Sequence, residues 1–149
     1  MTKTHTQTIT VKTTVNAQAD KVWRYWTEPE HITRWNNASE DWHSPRAQND
    51  LRAGGRFNVR MEARDGSQGF DFEGTYDKVD PPKEIAYTMD DGRKVRVTFK
   101  PEGKSTKIVE TFEPETENPA DMQRDGWQAI LDSFKKYAES DEVKQEYGI

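Results

Sequence analysis

The sequence predicts an α+β domain in which a curved antiparallel sheet wraps around one long C-terminal helix. Residues 118–139 show helical periodicity, and their apolar face covers roughly 200°, which is wider than the stripe of an ordinary amphipathic helix. Most of the preceding chain instead alternates apolar and polar residues with a period of two, as strands with one buried face do. So wide a helix face needs a concave partner, and we expect the sheet to curve around it and leave a pocket between the two.

The composition predicts a single domain with an aromatic-rich core. The chain has 149 residues, which is enough for one hydrophobic core of common size. Only 32% of the residues are apolar, but five Trp, six Phe and five Tyr bury a large area per residue. We expect one domain over residues 1–149, with its core at about 8–138 and a charged tail at 140–149.

Charge and residue usage exclude several classes of function. The formal net charge of −5, with basic and acidic residues interleaved, argues against a nucleic-acid-binding protein. The absence of cysteine removes disulfides, thiol nucleophiles and thiolate metal sites. The start of the chain lacks the apolar segment of a secretory signal, and no apolar run reaches the length of a membrane span. We therefore expect a cytoplasmic protein.

The three histidines show no spacing typical of a metal site. His5, His31 and His43 are far apart, and none forms a ligand-like pattern with acidic residues. We expect them to be solvated on the surface, and we expect neither a metal nor a cofactor.

The first part of the chain is predicted to form a strand and two short helices. Residues 6–15 alternate with period two, and Asn16 is a candidate helix cap after them. Helical spacing then predicts a helix at 18–26. A capping-box pattern that begins at Thr27, with an early proline, predicts a second helix at 29–35.

Six further strands are predicted between these helices and the C-terminal helix. The first of them contains Pro45, which cannot donate to a ladder, so we expect it at the edge of the sheet. In the second and third of these strands, at 57–61 and 70–76, matching the inward residues places Arg60 opposite Glu73 and Arg56 opposite Asp77. The predicted strands cover residues 42–48, 57–61, 70–76, 85–89, 95–99 and 105–113.

The last strand carries a carboxylate at a predicted inward position. If Ile108 and Phe112 face the core, Glu110 faces it too, whereas the opposite phase would bury Lys107. We adopt the first phase because a buried lysine is among the rarest placements in proteins. Glu110 would then point toward the helix from the middle of the sheet, across from Val95.

Two interpretations of Glu110 remain open from the sequence. A carboxyl in an apolar cavity needs a raised pKa or a hydrogen-bonding partner, for which Tyr76, Tyr87 and Trp127 are the candidate donors. In one interpretation Glu110 is a satisfied structural residue or marks a local bulge. In the other it orients a ligand or acts as an acid or base.

Four tryptophans, Trp23, Trp26, Trp35 and Trp42, lie close together in the sequence. Such a group is typical either of a cavity mouth or of a core that packs short helices against the end of a sheet. We expect Trp26 and Trp35 to be structural, and Trp23 and Trp42 to be freer to move or to be exposed.

Four segments of the chain form a specific combination in this order and spacing: KVWRYWTEPEHITRW (21–35), DLRAGGRFNVRM (50–61), FEGTYDKVDPPKEIAYT (72–88) and GWQAILDSFKKYAE (126–139). Together they resemble the homologues of the activator of the ninety-kilodalton heat-shock chaperone's ATPase. These homologues belong to the superfamily of START-related lipid-transfer, polyketide-cyclase and birch-pollen-allergen-like domains. The resemblance implies a helix-grip fold, with a seven-stranded antiparallel sheet wrapped on a long C-terminal helix and two small helices closing one end.

The resemblance implies several kinds of function. Superfamily members bind lipids, sterols, polyketides and other apolar molecules in the cavity, and some are cyclases or aromatase-like enzymes. The namesake co-chaperones resemble this chain only through their C-terminal domain. Their separate N-terminal chaperone-binding domain has no counterpart that we expect in this chain. The family offers no catalytic motif that can be transferred residue by residue.

Our leading prediction is non-enzymatic binding of a small apolar or aromatic molecule between the sheet and the C-terminal helix. One alternative is a chaperone-associated protein that uses its outer surface. Another is a cyclase-like or hydrolase-like enzyme that uses Glu110 with a tyrosine as an acid–base pair. The candidate ligand-binding residues are Phe57, Val59, Phe72, Tyr76, Tyr87, Val97, Phe99 and Glu110 on the sheet, and Gly126, Trp127, Ile130 and Phe134 on the helix.

Overall fold

The structure, a computed structural model, describes residues 7–140 and confirms the predicted α+β helix-grip architecture. The predicted tail therefore lies outside the described residues, apart from Ser140. No helix within 7–140 is long and apolar enough to cross a membrane. The elements in chain order are β1 (Ile9–Val15), α1 (Ala19–Thr27), α2 (Pro29–Trp35), β2 (Trp42–Asn49), β3 (Arg56–Ala63), β4 (Gly69–Asp80), β5 (Glu84–Met89), β6 (Lys94–Glu102), β7 (Ser105–Phe112) and α3 (Ala120–Ala138).

All strands of the described region join in one curled antiparallel sheet. Their spatial order is β1-β7-β6-β5-β4-β3-β2, so each strand from β2 to β7 lies beside its neighbour in sequence. β1 instead pairs with β7, the last strand, which places the first strand next to the start of α3. Short hairpin connections account for this order, because antiparallel neighbours need only tight turns.

The period of two explains which side chains form the core. Along β7, Ile108 and Phe112 are fully buried and Glu110 is on the same face, while Lys107 lies on the other. The predicted phase of this strand is therefore correct. From α3, Leu131 is fully buried in the same core. Each such side chain contributes about 1.5–3 kcal/mol through the apolar area that it removes from water.

Helix α3 is held over the β1 edge of the sheet by side chains that bond to β1 carbonyls. The Gln128 amide donates to the Lys12 carbonyl at 3.2 Å, and the Lys135 ammonium donates to the Thr14 carbonyl at 2.7 Å. An edge strand leaves one row of backbone groups without a neighbouring strand. Here α3 binds part of that row, so the edge also positions the helix.

The β2 strand lies at the other edge of the sheet, as predicted from Pro45. Its pairing with β3 shifts register between His43 and Arg46, on either side of the proline. A shift at this point lets the proline sit where the ladder needs no donor.

The register between β3 and β4 differs from the prediction by two residues. Arg60 pairs with Asp71 and not with Glu73, and Arg56 shifts by the same amount, away from Asp77. The turn is the cause, because Gly66 adopts the left-handed conformation (φ +79°) and places the centre of the hairpin earlier than predicted. A shift of two residues keeps every side chain on its predicted face, so the inward set is unchanged.

The predicted helix caps are wrong. α1 begins at Ala19 with Gln18 at its N-cap, so Asn16 does not cap it. α2 begins at Pro29 with Glu28 at its N-cap, and neither N-cap side chain makes a capping hydrogen bond. Proline at the first helical position is nevertheless as predicted, since its fixed φ suits a helix start.

One histidine is buried, contrary to prediction. His31 is 1% exposed, and its Nδ1 lies 2.5 Å from the Tyr137 hydroxyl oxygen, which joins α2 to α3. His43 is partly exposed near Glu62, and His5 lies outside the described residues. No local pattern around His31 indicates the distant partner, Tyr137, that makes this burial favourable.

The tryptophans pack mainly into the core near α1 and α2. Trp26 and Trp35 lie 4.9 Å apart between ring centroids, and each meets Phe134 at 4.9 Å. Trp23, which we expected to be freer, is buried with its ring edge-on to Phe99 at 5.5 Å. Aromatic contacts of this geometry fix the two short helices against both the sheet and α3.

Replacing Gly126 by alanine is expected to stabilise the protein. A Cβ at this position in α3 would meet no atom within 4 Å, and alanine favours a helix over glycine by about 0.5–1 kcal/mol. Urea unfolding should show a gain of this size. Gly74→Ala is the matched opposite, because its Cβ would collide with the Thr88 carbonyl, and it should destabilise by at least about 1 kcal/mol. A loss of stability in Gly126→Ala would contradict the packing described for α3.

Candidate functional site

A cavity of about 360 Å³ lies between the sheet and the three helices. Its walls come from the inward faces of β3, β4, β5 and β7, from α1 and α2 at one end, and from α3. Natural small-molecule sites occupy roughly 300–1,000 Å³, so this cavity suits a small ligand. Predicted residues that line it are Phe57, Val59, Phe72, Tyr76, Tyr87, Glu110, Trp127 and Ile130.

The other predicted site residues lie away from the cavity. Val97 and Phe134 are fully buried, and Phe99 is 2% exposed, all within the solid part of the core. Gly126 is not among the wall residues, although a Cβ there would meet no atom within 4 Å. Val97 and Phe99 are covered because α3 packs against β1 and α1 packs against β6 and β7, whereas the inward faces of β3 to β5 border the cavity.

Several wall residues were not predicted as site residues. Those on α1 and α2 could have been found from the tryptophan group, for which a cavity mouth was one of two interpretations. Those in loops and at the start of α3 carry no periodic signal. The unpredicted wall residues are Trp26, Ile32, Trp35, Asn36, Met61, Phe70, Ile85, Arg93, Glu115 and Gln123.

Trp127 is one of three wall residues that α3 contributes, with Gln123 and Ile130. Its ring stacks on Phe112 with centroids 3.9 Å apart and planes 7° apart. It also meets Phe72 edge-on at 6.2 Å. Contacts with both β7 and β4 fix the ring, so a small rotation of Trp127 does not close the cavity.

The opposite wall is a cluster of aromatic rings on the sheet. Phe57 lies 4.8 Å from Tyr87 and 5.2 Å from Tyr76, measured between centroids. Tyr87 also meets Phe72 edge-on at 6.1 Å. Rings that support one another in this way present a stable apolar surface with aromatic faces and edges toward the cavity.

Glu110 lies on the cavity wall in the middle of β7. It pairs with Val97 of β6, not with Val95 as predicted, and with Val11 of β1. The ladders on both sides run through Glu110 without a register shift, so it does not mark a bulge. Its side chain is therefore held rigidly among apolar neighbours.

The Glu110 carboxyl has no polar partner within residues 7–140. None of the predicted donors bonds to it. The Tyr76 hydroxyl donates to the side-chain amide oxygen of Asn49 at 2.6 Å, and neither Tyr87 nor Trp127 makes a hydrogen bond with Glu110. Burial with no compensating partner raises the pKa of Glu110 to about 8. The interpretation of Glu110 as a structural residue whose carboxyl is satisfied by hydrogen bonds is therefore wrong within residues 7–140.

Polar groups of the β7–α3 connection close another part of the cavity. The Gln123 amide donates to the carbonyls of Glu115 at 3.0 Å and Asn118 at 2.8 Å, which ties the connection to α3. Arg93 lines the same region, and its guanidinium pairs with Asp91 at 2.8 Å. The positive charge of Arg93 is thus already matched by a carboxylate.

A second group of polar side chains lies at the start of α2. Ligand-type atoms of Glu28, Glu30 and His31 lie within 4.8 Å of one another, which is a spacing that a metal ion could bridge. Each buried contact there has a structural explanation, because His31 bonds to Tyr137 and Glu28 pairs with Arg24 at 3.4 Å. We assign this group a role in joining α1, α2 and α3.

Replacing Glu110 by glutamine is expected to stabilise the fold in alkali. The folded-state pKa of about 8 lies above the ordinary value of 4.5. The unfolded chain therefore releases this proton first as the pH rises, and stability falls from about pH 4.5 until the loss is complete above about pH 8. A shift of this size corresponds to on the order of 4 kcal/mol.

Urea unfolding of both proteins at pH 4.5, 7 and 9 tests this expectation. Glu110→Gln should exceed the parent by at least about 2 kcal/mol at pH 9 and differ little at pH 4.5. All other carboxylates are common to both proteins, so the difference isolates Glu110. A difference that does not change with pH would show that the carboxyl is hydrated or paired in the folded state.

The fold and much of the sequence match solved bacterial structures. An AHSA1-like protein from Aeromonas hydrophila, solved by NMR, is 44% identical, with a TM-score of 0.84 over 89% of this chain and 92% of that one. A Cytophaga hutchinsonii protein is 54% identical, with a TM-score of 0.77 over 93% and 94%. A Nitrosomonas europaea protein shares the fold at 21% identity, with a TM-score of 0.78 over 93% and 95%. A search of curated proteins found no significant match.

The sequence also matches a family as a whole. Residues 16–139 fit the family described as Activator of Hsp90 ATPase homolog 1-like protein. This range includes the three helices and every strand except β1. The predicted resemblance is thereby confirmed. The chain belongs to the family of Activator of Hsp90 ATPase homolog 1-like proteins.

Proposed function

We propose that this protein binds a small, largely apolar molecule in the cavity between the sheet and α3. The observation that carries the proposal is an aromatic-walled pocket of about 360 Å³ bordered by core residues such as Phe57 and Tyr87. A concave apolar surface of this size forfeits packing contacts and leaves apolar side chains accessible that closer packing would bury. It is therefore a feature that needs a reason, and an occupant supplies one.

The expected affinity follows from the apolar area that a ligand would bury. A two-ring aromatic molecule that buries about 200 Å² gains about 5 kcal/mol before the costs of association. Those costs are low here, because Trp127 and the ring cluster around Phe57 are fixed by their own packing. Glu110 and the Tyr87 hydroxyl are the polar groups on the wall that would orient the ligand.

Chaperone-associated binding is a second candidate, favoured by the family description. Two large apolar side chains, Phe70 at 48% and Met122 at 59%, are exposed and available to a protein partner. A purified heat-shock chaperone that formed a stable complex with this protein, in a preparation that binds no apolar probe, would favour this candidate over the first.

The enzymatic alternative stays a prediction. Glu110 and Tyr87 both line the cavity, and burial raises the pKa of each, Tyr87 well above its ordinary value. A tyrosine in that state is a poor base, so Tyr87 could serve only as a proton donor or hydrogen-bonding group.

Filling the cavity is expected to weaken binding of a neutral apolar probe. Ile130 on α3 and Val59 on β3 line the cavity, so Ile130→Trp and Val59→Phe should each reduce affinity for 2-naphthylmethanol by at least about tenfold, by occupying the space that the probe needs. Isothermal calorimetry measures the change. Asp125→Ala is the matched control on the same helix, because Asp125 is exposed and is not a wall residue, so its replacement should leave affinity unchanged.

Binding that neither filling variant alters would place the probe elsewhere on the protein. Two variants on opposite walls guard against a local misfolding effect, since only occupation of the shared cavity is common to both. Native mass spectrometry of freshly purified protein extends the test to natural occupants, because a co-purifying small molecule should be lost from Ile130→Trp and kept by Asp125→Ala.

A further inference from the structure

We propose that the natural ligand is an apolar amine, whose protonated nitrogen pairs with the Glu110 carboxylate while its apolar body fills the aromatic cavity. This inference rests on the proposed function and specifies the chemical class of the ligand. It starts from a carboxyl that is 6% exposed, lines the cavity, and has no hydrogen-bonding or charged partner within residues 7–140.

An unpaired carboxyl on an apolar wall selects strongly among ligands. A purely apolar molecule would exclude the remaining water from the Glu110 carboxyl without offering a hydrogen bond in its place. The loss of hydration of a buried polar group is then uncompensated and costs free energy. A ligand with a donor group aimed at Glu110 avoids that penalty. Charge-assisted hydrogen bonds between an ammonium and a carboxylate are roughly twice as strong as neutral ones.

The aromatic walls favour the same ligand charge. Faces and edges of Phe57, Phe72, Tyr87 and Trp127 surround the space in front of the sheet. Aromatic faces attract cations through the ring quadrupole, most strongly when the cation is desolvated. An ammonium group bound at Glu110 would therefore find favourable electrostatics in the rest of the cavity, and a carboxylate ligand would not.

The charged groups around the cavity offer no site for an anion. Arg93 is the cation on the wall, and it already pairs with Asp91 at 2.8 Å and donates to the Glu113 carbonyl at 3.4 Å. The other ionisable wall residue outside the tyrosines is Glu115, a second carboxylate. The cavity thus carries more negative than positive potential, and an amine complements it.

The groups that face Glu110 also determine how binding responds to pH. Tyr87 and Tyr76 from the sheet stay neutral below pH 9, since burial raises the pKa of both. Hydrogen bonds from Asn118 lower the pKa of Glu115, and Arg93 holds the pKa of Asp91 low, so both stay ionised near neutrality. The wall residues contributed by α1, α2 and α3 carry no charge. Glu110 is therefore the wall group that titrates between pH 6 and 9.

Amine binding at Glu110 should release a defined number of protons. With its pKa at about 8, Glu110 is protonated in most empty molecules at pH 7. Binding of an ammonium ion forms the ion pair, and the carboxyl proton leaves to solvent. About 0.9 protons should be released per amine bound at pH 7. A ligand that only accepts a hydrogen bond from the neutral carboxyl would release none.

Three molecules of one shape test the inference: 2-naphthylmethylamine, 2-naphthylmethanol and 2-naphthoate. Isothermal calorimetry at pH 7, in two buffers with different heats of ionisation, measures both affinity and proton release. We expect the amine to bind at least about tenfold more tightly than the alcohol, with the carboxylate weakest, and to be the only one that releases a proton. Affinity for the amine should rise roughly 50-fold from pH 6 to 8, as Glu110 ionises.

Variants locate the effect at Glu110. In Glu110→Gln the preference for the amine and the proton release should both disappear, while affinity for the alcohol changes by less than about threefold. Asp125→Asn, which makes the same carboxyl-to-amide replacement at an exposed position on α3, should keep the preference and the proton release.

The outcomes separate this inference from the function on which it rests. If the alcohol binds in the cavity but the amine binds no more tightly, or releases no proton in the unaltered protein, the amine assignment is overturned and the apolar-binding proposal stands. A preference that survives Glu110→Gln also overturns it. If none of the three molecules binds, the apolar-binding proposal fails first, and the amine assignment fails with it.

Discussion

The position of α3 across the width of the sheet is the constraint on which the rest of the structure depends. The chain leaves β7 beside β1, and Gln128 and Lys135 bond to carbonyls of β1. These bonds satisfy backbone acceptors that an edge strand would otherwise leave to water. They also hold the helix over one half of a curled sheet. One helix cannot cover both halves, so the half formed by β3 to β5 faces a cavity, bridged by Trp127.

That placement explains why Glu110 is unusual. On the covered half of the sheet, inward side chains such as Val97 and Ile108 pack directly against other core residues. Glu110 lies on the same face but at the border of the cavity, where a carboxyl can keep a little accessible surface and still lose most of its hydration. An apolar residue there would avoid the energetic penalty of burial at neutral and alkaline pH. Within residues 7–140 this carboxyl carries that penalty without a hydrogen-bonding partner, which is the observation behind its proposed role toward a ligand.

The sequence predicts the elements well because local rules determine them. Period-two alternation identified the strands other than β2, and it placed Glu110 on the inward face. Alternation cannot say which inward residues lie under the helix and which lie beside it, and so Val97 and Phe99 were wrongly assigned to the cavity. The β3–β4 register depended on where Gly66 turns the chain, and the burial of His31 on a contact more than a hundred residues away. Each of these errors concerns a tertiary relationship that no short window of sequence contains.

The shape of the cavity and the Glu110 carboxyl, which has no polar partner within residues 7–140, have different consequences for recognition. Aromatic walls gain free energy from almost any apolar body of the right size, because the hydrophobic effect is not directional. Shape alone therefore gives affinity with little selectivity. A buried polar group acts in the opposite way, since a ligand that leaves it unpaired is rejected by the full desolvation penalty. Close and distant relatives share this fold. Under the proposed function, the apolar wall would determine the size of the ligand, and the few polar atoms that face the cavity would determine which ligand binds.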